Sequence, residues 1–256
     1  MDIVKFKDTT YSTEDLKNVL SALGIAAGDS LCVHSELFRF GIPLLPKEAF
    51  NQTICQTLLE LIGENGSLLI PTFTYSFCKN EVFDVLHSPS LVGMLGQSFL
   101  SMPNVRRTHC PIFSFAIQGS DDFLKIGDEV LGKGCTFEKL LHHNGKILTF
   151  GNVYLGYTFV HYLETIANVS YRFDKTFSGI LRDENGNESF KSVIYRVRYL
   201  NQKSELDYRK IAYFLIDLGV LKTAPFGGGA LGVMECSKVA EVFLDLLAKG
   251  ENIFLV

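Results

Sequence analysis

The stretch GDSLCVHSELFRFGIPLLPKEAFNQTICQTLLELIGENGSLLIP, residues 28–71, decides the fold. Gly28 and Asp29 make a turn, and Ser30-Leu31-Cys32-Val33-His34 after it reads as a short strand. From Pro46 to Leu61 the apolar period changes. Phe50, Ile54, Leu58 and Leu61 recur every three or four residues and line one face of a helix. Gly63 to Gly66 interrupts the helix, and Ser67-Leu68-Leu69-Ile70-Pro71 is the continuous apolar run of a strand covered on both faces. Strand, helix and buried strand form the repeating grammar of an α/β fold.

The same grammar extends in both directions. Thr13 to Leu23 reads as a helix with Thr13 as its cap, Glu14 and Asp15 at its positive end, and Leu16, Val19, Leu20 and Leu23 in one stripe. Downstream, helices are expected at Leu91–Leu100, Phe137–Leu141 and Thr158–Val169, and strands at Phe113–Gln118 and Lys146–Phe150, the latter running into Gly151. Asn185-Gly186 is a hairpin turn signal, and its flanks, Phe177–Leu181 and Ser189–Arg198, alternate as antiparallel strands. Leu206–Leu218 and Cys236–Ala248 are late helices, and Asn252–Val256 reads as a closing strand. With no repeat or linker, residues 1–256 read as a single α/β domain. A mixed central sheet is flanked by helices, with an antiparallel β insertion in the C-terminal half.

Composition narrows the function. At 47% hydrophobic residues with 21 phenylalanines, the chain is not disordered. A net charge of -4 argues against a nucleic-acid partner, which calls for a basic face. No window reaches the roughly 20 apolar residues of a membrane span, and the N-terminus lacks a signal-peptide pattern. A cytoplasmic location is expected. Cys32, Cys55, Cys78, Cys110, Cys135 and Cys236 are scattered without a CxxC pair or Cys/His ligand spacing, so reduced thiols and no metal are expected.

Several segments could carry chemistry. His161 and Glu164 stand at i and i+3 on one helical face, with Thr158 continuing the row or capping the helix. A carboxylate can fix a histidine's tautomer and stabilise its imidazolium, as a general base requires. A surface glutamate beside a packed histidine fits the spacing as well. His34-Ser35-Glu36 leaves the carboxyl end of a strand, where α/β sheets bind ligands, and its turn amides could hold an oxyanion; a solvated turn is the alternative. Pro71-Thr72-Phe73-Thr74-Tyr75 leaves a strand at the same rim. Arg106-Arg107-Thr108-His109 is a basic cluster that could meet phosphate, or simply an exposed turn. Gly227-Gly228-Gly229 has no P-loop lysine and follows no clear strand, so it reads as a flexible turn. His142-His143 and His87 have no ligand partners at metal spacing.

At these same places the chain resembles the aminoglycoside 3-N-acetyltransferase family of acetyl-CoA-dependent enzymes. Five collinear blocks over about residues 12–175 carry the resemblance: Gly28-Asp29-Ser30 through His34-Ser35-Glu36-Leu37 and Gly41; Pro71-Thr72-Phe73-Thr74; Asp84 with Ser88-Pro89-Ser90-Leu91-Val92-Gly93; Arg107-Thr108-His109-Cys110-Pro111-Ile112-Phe113-Ser114; and Thr158, His161, Glu164. The resemblance implies transfer of an acetyl or related acyl group from acetyl-CoA, as cosubstrate, to a small-molecule amine, with no metal. His161 would be the general base and Glu164 its partner. The His34-Ser35-Glu36 turn, Thr72, Arg107, Thr108 and Ser114 would lie on the coenzyme side, and Thr74, Tyr75, Tyr154 and Tyr157 on the acceptor side. The oligomeric state stays open.

Two departures matter. Cys110 stands where the resembled pattern has histidine, and Leu155 and Tyr157 stand where acidic and amide residues are common. Without that acid, and with an aromatic rim of Tyr154, Tyr157 and Phe159, a sugar ring or base suits the site better than a polycation. The expected acceptor is therefore an amino sugar, nucleotide-linked acceptors included. An antibiotic-modifying acetyltransferase or a non-catalytic CoA-binding relative is the alternative. A cysteine hydrolase built on Cys110 and His109 is disfavoured, because neighbours on a strand point to opposite faces.

Overall fold

The computed structural model describes residues 1–250 and 253–256. β1 (Asp2–Phe6) and β2 (Thr9–Ser12) form an N-terminal hairpin that leads into α1 (Thr13–Ala22). Next come β3 (Ser30–Ser35), the two-residue β4 (Ile42–Pro43), α2 (Lys47–Ile62), β5 (Ser67–Pro71), β6 (Phe83–Asp84), α3 (Met94–Leu100), β7 (Arg106–Arg107) and β8 (Phe115–Gln118). The second half adds α4 (Thr136–His142), β9 (Lys146–Gly151), α5 (Thr158–Ile166), β10 (Arg172–Arg182), β11 (Glu188–Arg198), α6 (Tyr208–Asp217), β12 (Lys222–Phe226), β13 (Gly229–Glu235) and α7 (Cys236–Lys249).

The main sheet has seven strands in the order β12-β13-β9-β3-β5-β8-β7. Its centre, β9-β3-β5, is parallel and both flanks are antiparallel, so the expected mixed sheet is observed. Two three-stranded sheets, β2-β1-β4 and β11-β10-β6, complete the fold. The second of these is the expected antiparallel insertion, with β6 added in parallel.

The strand period of two splits the apolar residues between two cores. Leu31, Val33, Leu68, Ile70, Leu148 and Phe150 pack with α1, α2 and α3 on one face of the sheet. Cys32, Leu69 and Ile147, lying between them in sequence, pack with α4 to α7 on the other. Burial on both faces explains why β3, β5 and β9 read as continuous apolar runs.

The boundaries needed correction in several places. The cap of α1 is Ser12, not Thr13: Ser12 Oγ accepts from the Asp15 amide at 3.1 Å and Asp15 accepts from the Ser12 amide at 2.7 Å. α3 starts at Met94 rather than Leu91, because Gly93 has φ +72° and cannot lie inside a helix. α5 ends at Ile166, short of Val169. β10 runs eleven residues, well beyond the expected Phe177–Leu181, while β11 matches the expected Ser189–Arg198 to within one residue. Gly227-Gly228-Gly229 does follow a strand, forming the turn from β12 into β13. The expected closing strand reduces to one bridge between Leu206 and Leu255; Asn252 lies outside the described residues. No described helix is long and apolar enough to cross a membrane.

Candidate active site

The chain leaves β3 toward β5, while β9 lies on the other side of β3. At such a switch point the loops part and a crevice opens beyond the carboxyl ends of the strands. Here it is a cavity of about 930 Å³. Its walls are the His34–Phe38 turn after β3, Phe73 and Tyr75 after β5, Val92–Gly96 at the start of α3, and Tyr154–Thr158 leading into α5. The turns after β3 and β9 are tied together by Glu36, which accepts from Asn152 at 3.1 Å and pairs with Arg39. Burial would raise the Glu36 carboxyl, but these two partners hold it below its ordinary value. Burial also pushes the His34 imidazole down to about 4, so the cavity floor carries a neutral ring at physiological pH.

Beside this cavity stands the pair the sequence singled out. His161 Nδ1 lies 2.6 Å from Glu164 Oε2, which settles that the i, i+3 spacing closes a direct hydrogen bond. Glu164 is fully buried. Its other oxygen accepts from the Tyr171 hydroxyl at 2.8 Å, and Arg172 Nε lies 2.8 Å from Oε2. Burial alone would raise the carboxyl; the hydrogen bond from His161, the charge of Arg172 and the Tyr171 hydroxyl outweigh it and hold it below its ordinary value. With the Nδ1 proton given to the ionised Glu164, the Nε2 lone pair faces outward; Arg172 Nη2 lies 3.0 Å from the same Nδ1. The Tyr208 hydroxyl lies 3.1 Å from Nε2 and is the donor when the ring carries its proton on Nδ1.

His161, Arg172 and Tyr208 also line a second cavity of about 610 Å³, together with Lys175, Tyr195, Arg198, Tyr199 and Glu205. Tyr208 lines both cavities. Its ring stacks on Tyr157 at 5.8 Å and 10°, so one aromatic pair stands between the two spaces beside the imidazole.

The other expected site residues divide. His34, Ser35, Glu36, Tyr75, Tyr154, Tyr157 and Thr158 all line the larger cavity. Thr158 does not cap α5; the N-cap position is Tyr157, with no side-chain cap bond. The Ser35 turn has less to offer an oxyanion than expected, since the Glu36 amide is already given to the Phe150 carbonyl at 2.8 Å. Thr72, Arg107, Thr108 and Ser114 line neither cavity, which corrects their expected contact with coenzyme. Arg107 is buried and spends its guanidinium on Thr72 Oγ1 (3.2 Å), Ser114 Oγ (3.1 Å), the Ser88 carbonyl (2.6 Å) and the Thr72 carbonyl (2.7 Å). Thr108 accepts from the Phe115 amide at 3.0 Å. These residues brace the cavity wall from behind. Thr74 likewise turns inward and donates to the Pro111 carbonyl at 3.0 Å. His109 pairs with Glu184 at 2.8 Å while the buried Cys110 thiol accepts from the Phe113 amide at 3.2 Å, so no thiol-imidazole pair exists there.

Arg172, Tyr171 and Tyr208 were missed from sequence. Tyr171 and Arg172 follow Glu164 by seven and eight positions across a chain reversal, and Tyr208 comes from another element altogether. No local period connects them.

Residues 32–248 match the family model described as aminoglycoside 3-N-acetyltransferase. An aminoglycoside N(3)-acetyltransferase III of Serratia marcescens is 26% identical over 179 residues, a match covering 61% of this chain and 65% of that relative. Among solved structures, sisomicin-bound AAC-VIa is similar with a TM-score of 0.80 at 22% identity, over 94% of this chain and 99% of that one. AAC-IIIb, solved as a binary complex with CoASH, gives 0.78 at 20% identity, over 93% and 97% of the two chains.

Proposed function

The chain belongs to the aminoglycoside 3-N-acetyltransferase family of acyl-CoA-dependent transferases, and from that premise we propose that it moves an acetyl or related acyl group from acetyl-CoA to the amine of an amino sugar, nucleotide-linked acceptors included, with His161 as general base. The observation that carries this reading is the position of the dyad: an imidazole fixed by a buried carboxylate, lining the smaller cavity and in contact with Tyr208, the residue that lines both cavities. The larger, mainly apolar cavity suits the acyl-thioester arm, and the AAC-IIIb complex with CoASH gives that assignment a precedent in a similar fold. The smaller one suits the acceptor, so in this reading Tyr75, Tyr154 and Tyr157, which line the larger cavity, pass from the acceptor side to the coenzyme side.

The chemistry follows from the geometry. An incoming amine displaces the Tyr208 hydroxyl from Nε2 and attacks the thioester carbonyl as its proton passes to Nε2. Glu164 stabilises the imidazolium, the carbon–sulfur bond breaks, and the thiolate leaves with the proton from Nε2. Backbone amides at the uncapped start of α5, beside the cavity wall, are the donors best placed for the oxyanion. They replace the Ser35 turn in that role.

Charge supports the choice of acceptor. Among the described residues, the only acid lining the smaller cavity is Glu205, and it is paired with Arg198 at 3.1 Å. An aminoglycoside polycation would find no unspent carboxylate there. His161→Ala should lower turnover about 10²- to 10⁴-fold while CoA binding, followed by calorimetry, stays within a few-fold. Unchanged turnover removes His161 from the mechanism. Rapid acetylation of kanamycin- or gentamicin-type acceptors would overturn the choice of acceptor.

A further inference from the structure

Resting on the acyl-transfer reading, we propose that the acceptor is anionic: an amine-bearing sugar whose phosphoryl group is held by Lys175 and Arg198 in the smaller cavity. The pattern of β10 and β11 supplies the argument. In their register Phe173 stands opposite Val197 and Lys175 opposite Tyr195, and these four residues share the face that lines the cavity. Alternation sends Asp174 to the opposite face, where it pairs with Arg196 at 3.1 Å. Lys175 therefore lies on the cavity side and Asp174 away from it, while Arg172 and Arg198, on Asp174's face by the same alternation, reach the cavity at the end of the ladder.

At the end of the ladder Arg172 stands directly opposite Arg198. Like charges placed so are unfavourable unless something neutralises them. Arg172 is neutralised by buried Glu164 at 2.8 Å. Arg198 has only Glu205, in an open pair with side chains 43% and 63% exposed, an interaction that a phosphoryl group can replace. Lys175 has no carboxylate within ion-pair distance among the described residues; its ammonium lies 4.9 Å over the Phe177 ring. The same cavity offers a flat aromatic surface, the Phe173–Tyr199 pair at 4.6 Å and 35°, against which a sugar or base can lie. This cationic, aromatic lining occurs in a chain of net charge -4, so it is a local feature and not a general basicity.

The test is thiol release from acetyl-CoA with four acceptors: a neutral-ring amino sugar, its phosphate monoester, its nucleoside-diphosphate derivative, and an aminoglycoside. We expect kcat/KM for a phosphorylated acceptor to exceed that of the unphosphorylated sugar by about 10-fold or more, and to fall as salt rises. Lys175→Glu should erase most of that advantage by raising KM for the phosphorylated acceptors; Lys175→Arg should keep it. The monoester and diphosphate arms identify the source of the phosphoryl group. Equal kcat/KM with and without phosphate, or preference for the aminoglycoside, overturns the proposal while leaving acyl transfer intact. If no acceptor gives His161-dependent thiol release, the acyl-transfer reading fails instead. Calorimetric binding of the sugar phosphate to wild type but not to Lys175→Glu would then support the anion site, and its absence would end it.

Discussion

Glu164 shows how much one buried side chain carries. It meets His161, Arg172 and Tyr171 at hydrogen-bond or ion-pair distance while itself out of contact with solvent. Replacing it by glutamine keeps the shape but strands the Arg172 guanidinium without a counter-charge, a change that costs about 3 kcal/mol where a buried pair loses one partner. The pH dependence follows from its depressed carboxyl. Its contribution is fully present above the ordinary value of 4.5 and fades as pH falls through the lower folded-state value. The gap in urea midpoint between wild type and Glu164→Gln should therefore be widest near neutrality and close in acid; a constant gap would mean that the charge is not what matters. His34 works on a different window. Its ring is held down to about 4 from an ordinary 6.5, so between these values the unfolded chain binds the extra proton and stability falls as pH is lowered. His34→Asn, which does not titrate, should flatten that limb specifically.

Among the elements, the contact of α3 with the end of β5 and the Arg107 knot behind it set the larger cavity's shape. Arg107 joins the Thr72 turn after β5, the Ser88 carbonyl in the α3 approach and Ser114 just before β8 through one planar guanidinium. A lysine cannot span those acceptors, so Arg107→Lys should cost about 2–4 kcal/mol, read as a lower thermal midpoint, and weaken CoA binding although the residue touches neither cavity. An unchanged midpoint would mean that the knot is not structural. Arg107 also marks the limit of what sequence could tell. β3, α2 and β5 were legible because double-sided burial and helical period are local patterns, and so was the His161–Glu164 spacing. The expected phosphate role of Arg107 failed because burial is not local: a basic cluster in sequence gives no hint that one guanidinium folds inward and its neighbour Arg106 outward to Asp121. β1, β2, β12 and β13 went unread for a related reason. β1, β2 and β12 are short, partly exposed strands, and β12 contains Pro225, which an edge strand tolerates but a sequence pattern counts against; β13 is longer and buried, but Gly229 and Gly232 break its apolar run.

For the molecule as a whole, the arrangement that matters under the proposed reading is a dyad on the smaller cavity, divided from the larger one by Tyr208. The switch in strand order at β3 opens the larger cavity, and the β10–β11 hairpin walls the smaller one, so neither sheet alone builds both. Between them stands Tyr208, carried on α6 and stacked on Tyr157. A thioester is open to attack by water as well as by an amine, so a partition that opens only for the acceptor suppresses wasteful hydrolysis. Tyr208→Ala removes the ring and should join the two spaces. Thiol release without any acceptor should rise several-fold while acceptor-dependent turnover drops. Tyr208→Phe keeps the ring and removes only the hydroxyl that occupies Nε2. Since the amine must displace that hydroxyl, the phenylalanine variant should keep background hydrolysis at the wild-type level and lower the acceptor KM by about 2- to 10-fold, the span of one net hydrogen bond. Equal hydrolysis in wild type and the alanine variant would show that the ring does not divide the cavities. A large loss of kcat in the phenylalanine variant would make the hydroxyl part of the proton path instead of a cap on it.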